Sequence, residues 1–377
     1  MLRSLKQSTF WKRTYTRKYS MSAIDIIAVR QRDGSFKMSP LILHLSKKAI
    51  DTHEVTVAIN GKTLINNSEY KFVVQKGFQY ACFIKNGCDA PVLGKNLAIK
   101  PQSPVTPLSP CDDLFSPAES PTSFTKDPYA TTFKDEDKNW KQKLLDSVES
   151  ETYNYEHTMP PSVWSEQIRL ELEQKEIVDV TFITQEETVS TSLHIWSYTD
   201  NLVVSDIDGT ITKSDIRGIL CNIIGVDYTH DGIVSLFNNI HNKGYRIIYM
   251  TARSIDMFNA TKQYIERINQ NNSGMPAGPI ITAPNTIINA LCREVIIRRP
   301  ETFKIAMLQC ITSLFADHNP IKYGFGNRIT DDLSYIAAGV DRFCIFRIDS
   351  KSRVLTKGVE HHLQGYKAVE EYVGKFF

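Results

Sequence analysis

The stretch Ser205-Asp206-Ile207-Asp208-Gly209-Thr210 follows directly on the apolar run Leu202-Val203-Val204, and the two together decide the fold. The run predicts a buried strand that ends at Ser205, so Asp206 lies at the strand tip with its carboxylate facing the crevice. There Asp206 can attack phosphorus as a nucleophile and form an acyl phosphate. Asp208 is close enough to protonate the leaving oxygen and then to take a proton from the attacking water. Gly209 permits the sharp turn that brings backbone amides near a bound phosphate.

A calcium-binding loop is the alternative interpretation of an Asp-x-Asp-Gly stretch. Such a loop needs further oxygen ligands at its fifth, ninth and twelfth positions. Here Ile211, Thr212 and Lys213 come next. The sequence therefore favours phosphate chemistry over calcium binding.

Strand-like and helix-like segments alternate from Asn201 onward, which is typical of a parallel sheet with crossover helices. The predicted strands span residues 202–205, 245–250, 279–282, 322–325 and 343–348, and the predicted helices span residues 233–241, 255–268, most of 286–312, and 333–338. Ligands bind such sheets at the carboxyl ends of the strands. We therefore expect residues at neighbouring strand ends to meet near Asp206.

Two carboxylates that share a site with a phosphate need positive charge nearby. Thr251 and Arg253 follow the second predicted strand, and the hydroxyl of Thr251 can hold a phosphate oxygen. Lys304 lies in a predicted helix, where its ammonium would neutralise the phosphoryl charge and orient Asp206. The alternative for Lys304 is an ordinary surface position, because most lysines are exposed.

A metal site is predicted beside the nucleophile. The segment Gly326-Asn327-Arg328-Ile329-Thr330-Asp331 follows the fourth predicted strand. Asp331, the carboxylate of Asp206 and the backbone carbonyl of Asp208 together offer hard oxygen ligands. Mg²⁺ favours one or two carboxylates, waters and a substrate phosphate, so Mg²⁺ is the expected cofactor.

Residues 24–84 are predicted to form short β-strands separated by turns. The predicted strands span residues 24–29, 36–45, 55–59, 70–74 and 78–84. Asp33-Gly34 and Asn60-Gly61 are turn pairs that need positive φ. The pattern indicates half of an antiparallel sandwich, and two further predicted strands, at 180–182 and 192–196, are candidates to complete it.

The segment between these two groups of strands differs in composition. Seven prolines lie between Pro101 and Pro128. Five Ser-Pro or Thr-Pro pairs occur, namely Ser103-Pro104, Thr106-Pro107, Ser109-Pro110, Ser116-Pro117 and Ser120-Pro121. Such a stretch buries little apolar surface and is expected to be disordered. It is either a plain linker or a target of proline-directed kinases and an opposing phosphatase, with each phosphate adding about −1.5 to −2 charges.

Residues 1–20 are basic and rich in hydroxyl groups, and the first acidic residue is Asp25. Three interpretations remain open. The segment is a mitochondrial presequence, a basic interfacial segment that binds anionic lipid, or a disordered tail. Its apolar residues spread over more than half of a helical wheel, so the predicted amphipathicity is weak.

The composition of the whole chain excludes several classes of protein. The 377 residues carry a formal net charge of +2, which argues against direct coating of nucleic acid. The seven cysteines never form a Cys-x-x-Cys pair, which argues against a disulfide scaffold or zinc ribbon and favours a reducing compartment. No run approaches 18 consecutive apolar residues, so any membrane contact is expected to be peripheral.

The motifs at Asp206, Thr251, Lys304 and Asp331 resemble, in this order and on these elements, the haloacid dehalogenase superfamily of aspartyl-phosphate phosphatases. The resemblance narrows to the lipin family of Mg²⁺-dependent phosphatidate phosphatases. The segments that carry it are Ser205 to Asp215, Asp227 to Ile233, Gly278-Pro279, Arg293-Glu294-Val295, Phe303-Lys304, Phe325 to Arg328, and, near the amino terminus, Ile24 to Val29, Asp33-Gly34 and Ser39-Pro40.

The resemblance implies an α/β haloacid dehalogenase-like domain, with a Rossmannoid parallel sheet and no large cap, beside a split immunoglobulin-like β-sandwich. The expected divisions are a basic tail or presequence (1–22), an N-terminal lipin module that forms half of the sandwich (23–90), a disordered Ser/Thr-Pro linker (91–133), a charged helical connector (134–177), strands that complete the sandwich (178–199) and the catalytic domain (200–377). A separate cap is not expected, because only Ile211 to Tyr228 separate the first motif from the next helix.

The resemblance also implies roles for individual residues. Asp206 is the nucleophile and Asp208 the acid/base, and Thr251 and Lys304 complete the catalytic set. The expected ligands of the substrate phosphate are Gly209, Thr210, Thr251, Arg253 and Lys304. The expected residues at the Mg²⁺ are Asp206, Asp208, Asn327 and Asp331.

An open crevice suits a phosphate on a molecule too large to enclose. The implied reaction is hydrolysis of phosphatidic acid to diacylglycerol and phosphate at an anionic lipid surface. The expected location is cytoplasmic, peripheral to the endoplasmic reticulum or nuclear membrane, with mitochondria as the alternative through residues 1–20. A Mg²⁺-dependent protein phosphatase and a non-enzymatic membrane or regulatory scaffold are the competing hypotheses, and the intact acidic motifs and Lys304 argue against the scaffold.

Overall fold

A computed structural model describes residues 21–64, 69–86, 155, 158–162, 164, 169, 175–213, 229–284, 301–315, 318–357 and 362–373. The predicted basic tail at 1–20, the linker at 91–133 and most of the connector at 134–177 lie outside the described residues. Residues 214–228 and 285–300 also lie outside the described residues. The expected absence of a cap concerns these two segments.

The amino-terminal strands and the two strands before residue 200 lie in one group of sheets. These strands are β1 (Ser22–Ala23), β2 (Ile26–Arg30), β3 (Phe36–Met38), β4 (Leu43–His44), β5 (His53–Glu54), β6 (Thr56–Ile59), β7 (Lys62–Leu64), β8 (Tyr70–Val74), β9 (Ala81–Lys85), β10 (Ile177–Ile183) and β11 (Thr188–Ser197). A six-stranded sheet has the order β3-β2-β11-β10-β6-β7, a three-stranded sheet has the order β5-β8-β9, and β1 pairs with β4. β2 runs parallel to β11, with Ile26 opposite Leu193. Segments that are far apart in sequence therefore share one sheet.

Local chemistry explains where these strands end. Asn60-Gly61 turns between β6 and β7 with φ of 48° and 78°, as a tight hairpin turn requires. The prediction of one strand over residues 36–45 was wrong, because β3 and β4 belong to different sheets. The break falls at Ser39, whose hydroxyl accepts a hydrogen bond from the amide of Ile27 at 2.9 Å, and at Pro40, which has no N–H to donate to a ladder.

The three-stranded and six-stranded sheets share an apolar core. Phe72 of β8 lies 4.7 Å from Phe83 and 6.1 Å from Phe182 of β10, measured between ring centroids. The ring of Trp164, which precedes β10, also packs on Phe72 at 6.3 Å. The strands on either side of the linker are therefore joined by packing as well as by hydrogen bonds.

The remainder of the chain forms a sheet covered by helices. Its elements are β12 (Leu202–Asp206), α1 (Ile233–Asn242), β13 (Arg246–Ser254), α2 (Phe258–Arg267), β14 (Asn269–Gln270), β15 (Ser273–Gly274), β16 (Ile280–Ala283), α3 (Glu301–Ser313), β17 (Ile321–Gly326), α4 (Ile329–Ala337), β18 (Ile345–Ile348), β19 (Arg353–Leu355), β20 (Leu363–Gln364) and α5 (Gly365–Val373), with short 3-10 helices at Ile255–Met257 and Arg342–Cys344. The sheet order is β16-β13-β12-β17-β18-β19-β20. The first five strands in this order, from β16 through β13, β12 and β17 to β18, run parallel to one another. β19 and β20 then add antiparallel strands.

The sheet places β12 in the interior, with all five of its residues buried. The carboxyl ends of β12, β13 and β17 therefore lie side by side, as the strand–helix alternation predicted. No helix among the described residues is long and apolar enough to cross a membrane.

Candidate active site

The loop after β12 is folded tightly around the carbonyl oxygen of Ile207. The amides of Thr210, Ile211 and Thr212 all donate to this oxygen, at 3.3, 3.0 and 3.2 Å. Gly209 adopts φ +86°, and a Cβ at this position would lie only 2.0 Å from Asn327 Nδ2. Glycine is thus required here both by the backbone conformation and by the close approach of a neighbouring side chain.

A buried lysine joins two carboxylates at the carboxyl edge of the sheet. Lys304 Nζ, from α3, donates to Asp206 Oδ1 at 2.6 Å and to Asp331 Oδ1 at 2.7 Å. The side chains of Lys304, Asp206 and Asp331 are 3%, 7% and 3% exposed. The hydroxyl of Thr210 donates to the other oxygen of Asp206 at 3.3 Å. Lys304 therefore belongs to the site and is not a surface lysine.

Burial and charge both act on this cluster. Burial raises the pKa of Asp206 to about 7; the Lys304 ammonium lowers it, and the carboxylates of Asp331 and Asp208 raise it further. Burial opposes protonation of Lys304, but its two carboxylate partners outweigh that effect and raise the pKa of Lys304 above its ordinary value. Lys304 is therefore a fixed cation in a site with more carboxylates than positive charges, an arrangement that favours a further cation.

Asp208 is held by donors from the end of β13. Thr251 Oγ1 donates to Asp208 Oδ2 at 2.9 Å. The guanidinium of Arg253 donates to both carboxylate oxygens, at 2.9 Å from Nε to Oδ2 and 2.6 Å from Nη2 to Oδ1. Such a bidentate pair fixes the direction of the carboxylate. Thr251 and Arg253, expected as phosphate ligands, thus both contact Asp208 in the structure.

Arg253 is itself fixed from α2. Its Nη1 donates to Thr261 Oγ1 at 3.1 Å, and its backbone amide donates to Thr251 Oγ1 at 3.1 Å. Thr261 is fully buried, and the Arg253 side chain is 4% exposed. The direction of the guanidinium is therefore set by the packing of α2 against the end of β13.

The segment after β17 supplies the remaining expected metal residues. Asp331 Oδ2 accepts the backbone amides of Asn327 at 3.2 Å and Arg328 at 3.0 Å, which starts α4 four residues before the predicted helix. Asn327 Oδ1 is buried without a hydrogen-bond partner. A buried, unpaired carbonyl oxygen is costly unless a ligand satisfies it.

These residues fit Mg²⁺ as a ligand set. Within the described ranges, no group of three or more His, Cys, Asp or Glu side chains is arranged to hold a metal ion. Mg²⁺ needs only one or two carboxylates, with waters and other oxygens filling the remaining positions. Asp206, Asp331 and the unpaired oxygen of Asn327 meet that requirement.

The loop after β12 has two supports that were not among the predicted site residues. His230 lies with Nε2 3.4 Å from the carbonyl oxygen of Gly209 and Nδ1 2.8 Å from Ser352 Oγ. Burial lowers the pKa of His230. Nε2 is the donor in its contact with Gly209, because a carbonyl can only accept. Tyr366 of α5 donates its hydroxyl to the carbonyl of Thr210 at 2.9 Å.

The sequence draws attention to His230 but not to Tyr366. His230 stands in a segment that carries the family resemblance, which marks it without giving it a role. Tyr366 lies 156 residues from its partner, and no local pattern in the sequence links the two.

Comparison with known proteins identifies a family model and several relatives. The LNS2 (Lipin/Ned1/Smp2) model matches residues 165–377, more than half of the chain. Nuclear elongation and deformation protein 1 of Schizosaccharomyces pombe is 42% identical over 191 residues, which cover 49% of this chain and 29% of that protein. Phosphatidic acid phosphohydrolase 1 of Saccharomyces cerevisiae is 42% identical over 204 residues, which cover 50% of this chain and 23% of that protein.

A third relative extends the similarity towards the amino terminus. Phosphatidate phosphatase LPIN2 of Mus musculus is 32% identical over 285 residues, which cover 72% of this chain and 32% of that protein. The chain thus spans less than a third of the length of each of these three relatives.

Proposed function

The chain belongs to the LNS2 (Lipin/Ned1/Smp2) family, and from that premise we propose that it is a Mg²⁺-dependent phosphatidate phosphatase. The proposed reaction converts phosphatidic acid to diacylglycerol and phosphate through an aspartyl-phosphate intermediate. The substrate is taken from relatives that are named for it. The chemistry is taken from the residues of this chain.

One observation carries the proposal. The carboxylate of Asp206 is buried at the end of a central strand, with one oxygen bonded to Lys304 at 2.6 Å. Among the residues that the structure describes, the other oxygen accepts a bond from Thr210 alone, at 3.3 Å. A nucleophile needs a fixed direction and a free lone pair, and Asp206 Oδ2 has both.

The first half of the reaction transfers the phosphoryl group to Asp206. Asp206 Oδ2 forms a bond to phosphorus while the ester P–O bond to the diacylglycerol oxygen breaks. Asp208 gives its proton to that leaving oxygen. Lys304, already charged, offsets the negative charge that develops on the phosphoryl oxygens.

The second half regenerates the enzyme. Asp208, now a carboxylate, takes a proton from water as the water oxygen attacks phosphorus, and the bond between Asp206 and phosphorus breaks to release phosphate. The three bonds that Arg253 makes to Asp208 suit this ionised state. For the first half, Arg253 would move from Asp208 to the substrate phosphate, leaving Asp208 free to carry a proton.

Mg²⁺, when bound, supplies positive charge beside the phosphoryl group. Asp206, Asp331 and Asn327 are the proposed side chains at the ion, with Asp208 contributing its backbone carbonyl. The surplus of carboxylates in the cluster and the unpaired oxygen of Asn327 support this assignment.

We test the reaction with Asp206→Asn, which keeps the shape of the side chain and removes its nucleophilic oxygen. In mixed micelles the variant should lose essentially all release of phosphate from phosphatidic acid while it melts as a folded protein. Retained turnover would show that Asp206 is not the nucleophile. Wild-type enzyme that prefers a phosphopeptide or a soluble sugar phosphate to phosphatidic acid would replace the lipid assignment with one of the competing phosphatase functions.

We also propose that β1–β11 form a split immunoglobulin-like sandwich and that the domain divisions follow those expected from the sequence. The parallel pairing of β2 with β11 and the core around Phe72 support this arrangement. The proposed location is the cytoplasmic surface of the endoplasmic reticulum or nuclear membrane.

Phosphorylation of the Ser/Thr-Pro segment by proline-directed kinases, reversed by a phosphatase, is the proposed regulation. Added phosphates would weaken contact with an anionic surface. Acidic replacements at the five sites should therefore reduce flotation with anionic liposomes, and unchanged flotation would exclude this mechanism.

A further inference from the structure

A buried aspartate joins the amino-terminal strands to the sheet that carries the active site. Asp25, between β1 and β2, is 1% exposed. Its Oδ1 accepts hydrogen bonds from Thr191 Oγ1 at 2.8 Å and from the amide of Ser192 at 2.9 Å, both in β11. The same carboxylate also accepts two bonds from the α/β part of the chain: Lys262 Nζ to Oδ1 at 3.1 Å, and the amide of Ile280 to Oδ2 at 3.0 Å.

The bond to Ile280 reaches the outer strand of the sheet. β16 is the last strand on its side of the described sheet, and Ile280 is its first residue. The amide of Ile280 donates to Asp25 and not to a neighbouring strand. Asp25 thereby fixes the position of β16 against β11.

The bond to Lys262 reaches the helix that supports the acid/base. Lys262 Nζ also donates to Ser192 Oγ at 2.7 Å, so this lysine is held by two groups of the amino-terminal sheets. The preceding residue on α2 is Thr261, which accepts the bond from Arg253. Arg253 in turn makes the bidentate pair with Asp208.

We propose that Asp25 is a positioning residue for the acid/base Asp208. Asp25 holds Lys262, and hence α2, in the one place where Thr261 can direct the guanidinium of Arg253 at Asp208. The amino-terminal strands thus contribute to catalysis although Asp25 touches none of the reacting atoms. This inference rests on the proposed function for the role of Asp208, whereas the predicted mechanical link can be measured without turnover.

The test uses the full chain and three variants. Asp25→Asn weakens all four hydrogen bonds to the Asp25 side chain. Because it also removes a buried charge, this variant is used mainly to measure whether the protein still folds. Lys262→Met is the decisive variant, since it removes the bonds from α2 to Asp25 and to Ser192 and leaves three of the four bonds to Asp25. Lys71→Met is the control for loss of a lysine as such. It removes a more exposed lysine–carboxylate pair, with Glu54, that lies wholly within the amino-terminal strands.

The first measurement is amide hydrogen exchange in the absence of substrate. Loss of a charge-assisted bond should raise exchange by at least about tenfold in α2 and in residues 206–212 of Lys262→Met. Lys71→Met should match the wild type in both segments. Exchange that rises in α2 alone, or in neither segment, would overturn the link to the catalytic loop.

The second measurement is steady-state turnover. Misplacement of a catalytic group by a distant change costs up to about 100-fold in rate, so kcat of Lys262→Met should fall about 10- to 100-fold with KM changed little. Thr261→Val should give a similar fall, and the double variant should be no worse than either single variant, because both act along one path. Additive losses, or a change confined to KM, would refute the proposal.

The two measurements distinguish a failure of the proposed phosphatase function from a failure of the proposed positioning role of Asp25. If the wild type hydrolyses para-nitrophenyl phosphate but not phosphatidic acid, the proposed function fails, and kcat on the soluble ester still tests Asp25. If the wild type shows no phosphatase activity, hydrogen exchange alone decides whether Asp25 controls the loop.

Discussion

Lys304→Met removes the ammonium that joins Asp206 to Asp331 and keeps a side chain of similar length. Both carboxylates bond directly to Lys304 Nζ, at 2.6 and 2.7 Å, and both remain buried when the ammonium is gone. Removing one partner from a buried ion pair costs about 3–5 kcal/mol. In a domain of this size each kcal/mol lowers Tm by about 2–4 °C. The variant should therefore melt about 6–20 °C below the wild type at pH 8.

The loss of Tm in Lys304→Met should become smaller as the pH is lowered. Without Lys304, the two carboxylates are left within about 5 Å of each other, and the charge of Asp331 raises the pKa of Asp206 above its value in the unfolded chain. The native variant then binds more protons than the unfolded one, so its stability rises as the pH falls. The difference in Tm between wild type and variant should thus be smaller at pH 5.5 than at pH 8, and Mg²⁺ should recover part of it at pH 8.

Thermal melts at the two pH values, with and without Mg²⁺, measure this effect. Lys322→Met is the control, because Lys322 Nζ donates to the backbone carbonyl of Asn319 at 2.8 Å, and within the described part of the chain its loss leaves no carboxylate without its partner. A variant of Lys304 that melts within about 2 °C of the wild type at pH 8 would refute the charge argument. So would a loss of Tm that is the same at both pH values.

Three further outcomes are expected. Gly209→Ala should reduce phosphate release by at least about 100-fold, as measured in the micelle assay, because the added Cβ would displace Asn327 and strain the loop. Tyr366→Phe should lower the free energy of unfolding by about 1–3 kcal/mol in urea melts, since the buried carbonyl of Thr210 loses its donor. Burial lowers the pKa of His194 to about 4, whereas a histidine in the unfolded chain has a pKa of about 6.5. As the pH falls from about 6.5 to about 4, the unfolded chain binds a proton at His194 and the folded chain does not, so the free energy of unfolding decreases over this range. His194→Gln should flatten that acid loss, and a parallel pH profile for wild type and variant would contradict the assignment.

The central strand and its loop could be predicted from the sequence because their chemistry is local. An apolar run followed by two carboxylates and a glycine requires a strand, a turn and an open strand end within ten residues. Asp331 could be linked to that strand end because parallel strands bring their carboxyl ends to one edge of a sheet. Lys304, in a predicted helix, could be linked to it because two carboxylates and a phosphate need positive charge nearby.

The contacts between distant residues could not be predicted in this way. The pairing of Arg253 with Asp208 depends on a side-chain direction that periodicity does not encode, and phosphate binding was an equally good use for a guanidinium at that position. The strands β19 and β20 are two or three residues long, too short for an alternating pattern to stand out. Asp25 looked like an ordinary polar residue at the start of a strand, because its four donors come from segments far away in sequence.

The parallel pairing of β2 with β11 also bears on how the family can change in length. Two strands more than 160 positions apart meet in register, and β3 to β10 lie between them along the chain. A stretch inserted between these elements, and not within them, affects stability mainly through the entropy of closing a loop. That entropy grows with the logarithm of loop length, and doubling a flexible connection costs only about 0.6 kcal/mol. Stretches between these elements can therefore be lengthened or shortened at little thermodynamic cost, while the sheet that contains β2 and β11 stays the same.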